Sequence, residues 1–116
     1  MGINIVSRVL IICTIVISSL VPFSPAHAQA ISKEQLLVLQ QEAKDGNAVA
    51  QYNLGTMYYS GQGLPRNDEE AIKWYRKAAE RGHMKAQYNL GVKYNIGEGV
   101  AKNDAQAVKW YRKAAE

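Results

Sequence analysis

Few side chains in this 116-residue chain are of the types that carry out covalent or metal chemistry, and their spacing argues against such roles. Asp68-Glu69-Glu70 is a run of carboxylates. Paired carboxylates act as acid and base when their surroundings push their proton affinities apart. These three are consecutive and fall where a helix is expected to start, so they are read as acids stabilising the positive end of a helix dipole. His83 stands without the ligand cluster that a zinc site needs, and a solvated loop position is expected for it. Gly61-x-Gly63 and Gly97-x-Gly99 resemble pieces of a phosphate-cradling turn. Such a turn follows a strand, whereas these follow helical patterns, so helix–helix turns are expected. The chain has no G-x-S-x-G elbow, no H-E-x-x-H and no phosphate loop ending in G-K-[ST]. The expectation is a non-enzymatic chain with no metal and no cofactor, whose chemistry is recognition.

The elements that would position recognition side chains are legible because the chain repeats itself. Ala50–Glu80 returns as Ala86–Glu116 at a constant offset of 36, without a gap, and 20 of the 31 paired positions are identical. A period of this length indicates stacked helical units. In the first copy Ala50, Leu54, Met57 and Tyr58 share one face of a helix over about Ala48–Tyr59. Ser60-Gly61-Gln62-Gly63-Leu64-Pro65 stops it, since glycine takes the left-handed conformation that ends helices and proline cannot continue one. A second helix opens at Asn67 or Asp68, with Asn67/Glu70 and Asn103/Gln106 at capping-box spacing. Along it Ala71, Tyr75, Ala78 and Ala79 share a face flanked by Ile72 and Trp74, and Gly82 closes it.

With these residues in view, the chain resembles the Sel1-like repeat, a subclass of the tetratricopeptide-type helical repeats. The resemblance is carried by A-Q-Y-N-L-G-x-x-Y-x-x-G-x-G at Ala50–Gly63 and N-D-x-x-A-x-K-W-Y-R-K-A-A-E at Asn67–Glu80, both recurring in the second copy. It implies an all-α, short right-handed α/α superhelix and a scaffold that binds a protein or peptide. Cysteine-rich relatives with β-lactam-related activity suggest a cell-wall-associated hydrolase as the alternative, from which this chain departs by lacking a mature cysteine. Residues 29–46 fit a degenerate second helix: at the same offset Gly46 falls on Gly82, Ala43 on Ala79, Leu36 on Ile72 and Leu39 on Tyr75, with Ser32/Gln35 as its capping box. The expected organisation is a capping half-repeat (29–46), repeat one (47–82) and repeat two (83–116).

Residues 1–28 differ in kind. Arg8 is their only charge, Val9–Val21 is mostly apolar, Pro22 and Pro25 break any helix, and Ala26-His27-Ala28 offers a small-x-small cleavage pattern. This reads as a secretory signal peptide cut after Ala28, with Ala30 as a second site. A retained anchor is the competing reading, but the apolar run is shorter than the ~20 residues a span requires. Cys13 lies mid-run, which excludes a lipoprotein. Cleavage removes the only cysteine and leaves 13 Lys and Arg against 10 Asp and Glu, a net charge of +3. The basic residues cluster late in the second helices, where they suit the dipole, so nucleic acid is not expected as a partner. Acidic glycans or phospholipid head groups form a weaker option. A periplasmic or secreted bacterial protein, without a stable membrane anchor after cleavage, is expected.

The contact surface is expected on the first helices, which line the concave side of helical-pair arrays. Opposite Leu54 lie Tyr52, Thr56 and Tyr59, with Tyr88, Val92 and Asn95 as counterparts and Asn53 and Asn89 able to bond a peptide. Tyrosine offers large area at little rotamer cost. Positions that differ between copies, such as Met57/Lys93 and Tyr59/Asn95, suggest a tunable surface. At the other end the chain stops at Glu116 within a second helix. Trp110 and Tyr111 there either pack inward or form an exposed edge that docks a partner or a second copy; a truncated gene gives the same pattern.

Overall fold

The computed structural model describes residues 30–116; the expected signal peptide over residues 1–28 and its expected cut after Ala28 lie outside the described residues. Ile31–Glu116 forms one compact unit of five helices. They are α1 (Lys33–Lys44), α2 (Ala48–Ser60), α3 (Asp68–Glu80), α4 (Met84–Ile96) and α5 (Asp104–Ala115). Each packs against its neighbour in sequence, α2 on α3 and α4 on α5 forming the two pairs and α1 covering the first.

Every helix starts on a side chain that accepts a hydrogen bond from an otherwise orphaned amide. At α1 the box is complete: the Gln35 amide donates to Ser32 Oγ at 3.1 Å, and the Ser32 amide donates to Gln35 Oε1 at 3.0 Å. At α3 only half of the expected box forms. Asn67 Oδ1 accepts from the Glu70 amide, but the Glu70 carboxylate takes Lys73 Nζ at 2.8 Å instead of turning back. The amides of Asn67 and Asn103 also donate to Tyr58 O and Tyr94 O, each at 2.8 Å, tying both linkers across their own repeat. α2 and α4 end at Gly61 and Gly97, both at φ 73°, the left-handed geometry that only glycine enters without strain.

The core is one junction made twice. Ala43, Ala50 and Leu54 are buried, with Tyr58, Leu64 and Trp74 packed around them. Thirty-six residues on, Ala79, Ala86, Leu90 and Trp110 are buried with Tyr94 and Val100 around them, joined by Ile72 and Ala78. Alanines at the crossing let helix backbones approach, and the aromatic rings fill the space beside them. A polar clasp accompanies each junction: Gln51 Nε2 donates to Ala43 O at 3.0 Å, and Gln87 Nε2 donates to Ala79 O at 3.1 Å. Both amides are buried, where such a bond is worth more than at the surface. α1 supplies Ala43 and Leu39 to the first junction, as α3 supplies Ala79 to the second.

Of the two readings of Trp110 and Tyr111, inward packing is the one that Trp110 follows, and the exposed edge is corrected. Trp110 is not an exposed edge; it is 5% exposed. In both repeats the tryptophan packs where the preceding unit meets its own first helix, Trp74 with Ala43 and Ala50, Trp110 with Ala79 and Ala86. The side chain facing onward is the one at Ile72 and Val108. Ile72 is 5% exposed beneath α4, whereas Val108 is 45% exposed. Tyr111 is half-buried and lies against Gly91 of its own repeat.

Candidate functional site

The first helices of the two repeats present their N-terminal halves to a shared groove. It consists of adjoining hollows of about 310 and 490 Å³, both lined by Tyr52, Met84 and Lys85. Val49, Asn53 and His83 complete one, and Tyr88, Asn89 and Ala114 the other. Val49, Met84 and Tyr88 are all largely exposed, Tyr88 at 57%. The tyrosines are held from behind. Tyr52 tilts against Tyr75 at 5.8 Å between centroids, and Tyr88 against Tyr111 at 5.7 Å. Those partners come close because Gly55 and Gly91 carry no side chain. A Cβ there would stand 2.9 Å and 2.8 Å from the rings of Tyr75 and Tyr111.

His83 is not a solvated loop residue. It is the N-cap of α4, its Nδ1 accepting from the Ala86 amide at 3.2 Å. Its ring stacks on Tyr52 at 4.7 Å and 20°, so the cap of the second repeat is fixed to the first. Burial, then the nearby charge of Lys85, holds the imidazole below its ordinary proton affinity. Among the described residues, Lys85 is the one formal charge lining the groove, and no carboxylate among them lines it.

Of the expected contact residues, the structure brings Tyr52, Asn53, Tyr88 and Asn89 together here. The others are placed differently. Thr56 Oγ1 donates to Tyr52 O at 3.0 Å and accepts from the Tyr75 hydroxyl at 3.3 Å, so it braces the repeat. Val92 is half-buried and Asn95 is exposed, and neither lines the groove. Tyr59 lies beneath two cations, Lys93 Nζ at 3.4 Å and Arg66 at 5.2 Å from its centroid. Lys93, read from its variability as surface, is 6% exposed and pairs with Glu98 at 2.8 Å, while Glu98 also takes Arg66 at 3.1 Å. The Lys93 position is a packed one, as Met57 in the first copy indicates, and its ammonium is retained by Tyr59 and Glu98.

Val49, His83, Met84 and Lys85 were missed as groove residues. They fall just before the Ala50/Ala86 start of the strong identity. Extending the same offset three residues toward the N-terminus pairs Asn47 with His83, Ala48 with Met84 and Val49 with Lys85, and all three pairs differ.

Comparison with known proteins agrees with this architecture. The family model described as Sel1 repeat matches residues 48–83 and 85–116. A putative sel1-like repeat-containing protein, L18, of Acanthamoeba polyphaga mimivirus is 54% identical over 37 residues, 32% of this chain but 6% of that protein. The crystal structure of a Sel1 repeat protein from Oxalobacter formigenes superimposes with a TM-score of 0.59 at 53% identity, covering 60% of this chain and 28% of that one. Helicobacter pylori cysteine rich protein B superimposes with a TM-score of 0.71 at 27% identity, covering 76% and 66%. The chain thus spans a small part of the curated relative's length. Sel1 repeat proteins mediate protein–protein interactions. With both repeats matched and the helical-repeat superhelix in common, the chain belongs to the Sel1 repeat family.

Proposed function

We propose that this chain is an exported, non-enzymatic scaffold of the bacterial cell envelope that binds a protein or peptide in the groove between α2 and α4. The observation that carries this reading is exposed apolar area on a fixed frame: Val49, Met84 and Tyr88 stand open while Tyr75, Gly55 and Gly91 behind them are packed. Open apolar area of this kind marks interaction sites, and a pre-ordered frame lowers the entropy cost of binding. Export rests on the charge and apolar pattern of residues 1–28.

The test uses the full chain with a C-terminal tag, expressed with its leader in a bacterium and recovered from the envelope fraction. The expected result is a product beginning at Gln29 that co-purifies with a partner, the partner being lost in Met84→Ser and Tyr88→Ser while helicity is retained. Retention by both variants removes the groove, and an unprocessed cytoplasmic product removes export. A second reading, self-association through α5, is favoured by the 45% exposure of Val108 against 5% at Ile72; a strict monomer at high concentration in sedimentation removes it. The hydrolase alternative has no observation in its favour among the described residues. Turnover of a chromogenic β-lactam above background would revive it.

A further inference from the structure

The two tyrosines of the groove are equivalent in sequence but not in surroundings. Tyr52 has a planar ring stacked on it, His83 at 4.7 Å and 20°. Tyr88 has its partner Tyr111 behind it and is otherwise open. The junction therefore displays, at Tyr52, the kind of group that the position at Tyr88 accepts: a flat ring lying on the tyrosine face. Beside that open position stands Lys85, and among the described residues no carboxylate lines its hollow. Asn89 lies in the same hollow, an amide able both to donate and to accept.

We infer that the groove selects an extended acidic peptide in which an aromatic side chain stacks on Tyr88 and a neighbouring carboxylate pairs with Lys85, with Asn89 bonding the peptide backbone. This rests on the reading of the groove as the binding face and specifies its partner. The charge assignment follows from the lining: among the described residues that line the groove a basic segment would meet only the like charge of Lys85, whereas an acidic one pairs with it and is drawn to a chain carrying net positive charge. The ring assignment follows from geometry, since stacked or tilted rings gain beyond the area they bury. The hollow beside Tyr88, about 490 Å³, accommodates an aromatic side chain and its neighbour.

The experiment is fluorescence anisotropy with the full chain and fluorescein-labelled ten-residue peptides built on a Gly/Ser background. One carries a central Phe-Glu, and the others Phe-Gln, Phe-Lys and Ala-Glu. The Phe-Glu peptide is expected to bind most tightly, with a loss of about three- to tenfold for Phe-Gln and for Ala-Glu. Phe-Lys is expected to bind more weakly still. Lys85→Glu is expected to reverse the preference between Phe-Glu and Phe-Lys, and Tyr88→Ala to abolish the difference between Phe-Glu and Ala-Glu. Equal binding of Phe-Glu, Phe-Gln and Phe-Lys, or a preference that Lys85→Glu leaves unchanged, overturns the acidic partner while the groove stands. Binding of all four peptides that neither Lys85→Glu nor Tyr88→Ala alters overturns the groove itself. Concentration-dependent self-association that is lost in Tyr88→Ala and excludes every peptide identifies a second copy as the occupant and overturns the proposal. Because Lys85 is an exposed surface residue, its variant remains informative if Tyr88→Ala fails to fold.

Discussion

At the residue scale the two repeats part company at a few side chains, and those differences have physical consequences. Asn47 and His83 occupy equivalent places and perform the same task, accepting an amide hydrogen at the start of a first helix. Asparagine does so at any pH. Histidine does so only while Nδ1 is unprotonated, and protonation also places a cation at the positive end of the α4 dipole. With its proton affinity lowered by burial and by Lys85, His83 binds the proton less readily folded than unfolded. Its stabilisation is complete above the ordinary value of about 6.5 and is lost as the pH falls through the lowered folded value. Urea denaturation at pH 7.5 and 5.0 is expected to show a fall in stability that His83→Asn reduces, and equal pH dependence in the two chains would remove the effect. His83→Ala at pH 7.5 is expected to cost about 1 kcal/mol, the usual worth of an N-cap. Lys93 is the other divergence. Lys93→Met, which restores the residue found at Met57, is expected to stay within about 1 kcal/mol of the parent because a packed apolar side chain replaces a nearly buried ion pair. Glu98→Gln leaves the ammonium with Tyr59 alone and is expected to cost about 1–3 kcal/mol, most of which Lys93→Met in the same chain recovers. Neither role was legible from the sequence. A lone histidine before a helix and a lysine at a variable position read as solvent-facing, and only the neighbouring Tyr52 and Tyr59, brought in from the other repeat, reverse that.

At the element scale almost everything was legible, because helix boundaries depend on local rules. The caps at Ser32, Asn67 and Asn103 and the stops at Gly61 and Gly97 follow from side-chain reach and from the φ that glycine permits. The capping box at Asn67 was overstated because Glu70 has a competing partner, Lys73, one turn ahead. The glycine inside each first helix has its reason in the approach of the second helix. At Gly55 a methyl group would meet Tyr75 Cδ1 at 2.9 Å and the Ala71 carbonyl at 3.2 Å. Alanine favours a helix over glycine by about 1 kcal/mol, yet the clash with a fully buried ring outweighs that gain. Gly55→Ala is therefore expected to destabilise the chain by about 1–3 kcal/mol, and a raised melting temperature by circular dichroism would contradict the packing described. Tyr75→Phe serves as a control of different kind, since it keeps the ring and removes only the hydroxyl's bond to Thr56.

At the scale of the whole molecule the chain is a succession of nearest-neighbour junctions. Stability in such an array is approximately the sum of what each unit holds and what each junction adds. The helix count and the equivalence of Ala43 with Ala79 at the two junctions were readable from the offset of 36. The direction in which the tryptophans face was not, since a helical wheel gives a face but not which neighbour lies on it. Packed where α1 meets α2, Trp74 depends on α1: with Ala43, Ala50 and Leu54 it forms the first junction, and Gln51 closes on the Ala43 carbonyl. Removing α1 would expose Ala50, Leu54 and the side of Trp74 together, and would leave the Gln51 amide without its acceptor. The second junction would survive but would have to hold both repeats unaided. A chain beginning at Asn47 is accordingly expected to lose the single cooperative melting transition of a chain beginning at Gln29 and to bind a hydrophobic dye, with Trp74 fluorescence shifted to the red. If the shorter chain melts at the same temperature with the same cooperativity, α1 is an appendage and the first junction contributes nothing. If it unfolds gradually while keeping part of its helicity, the junctions add stepwise, and the groove, which α2 and α4 form together, depends for its shape on a helix that does not touch it.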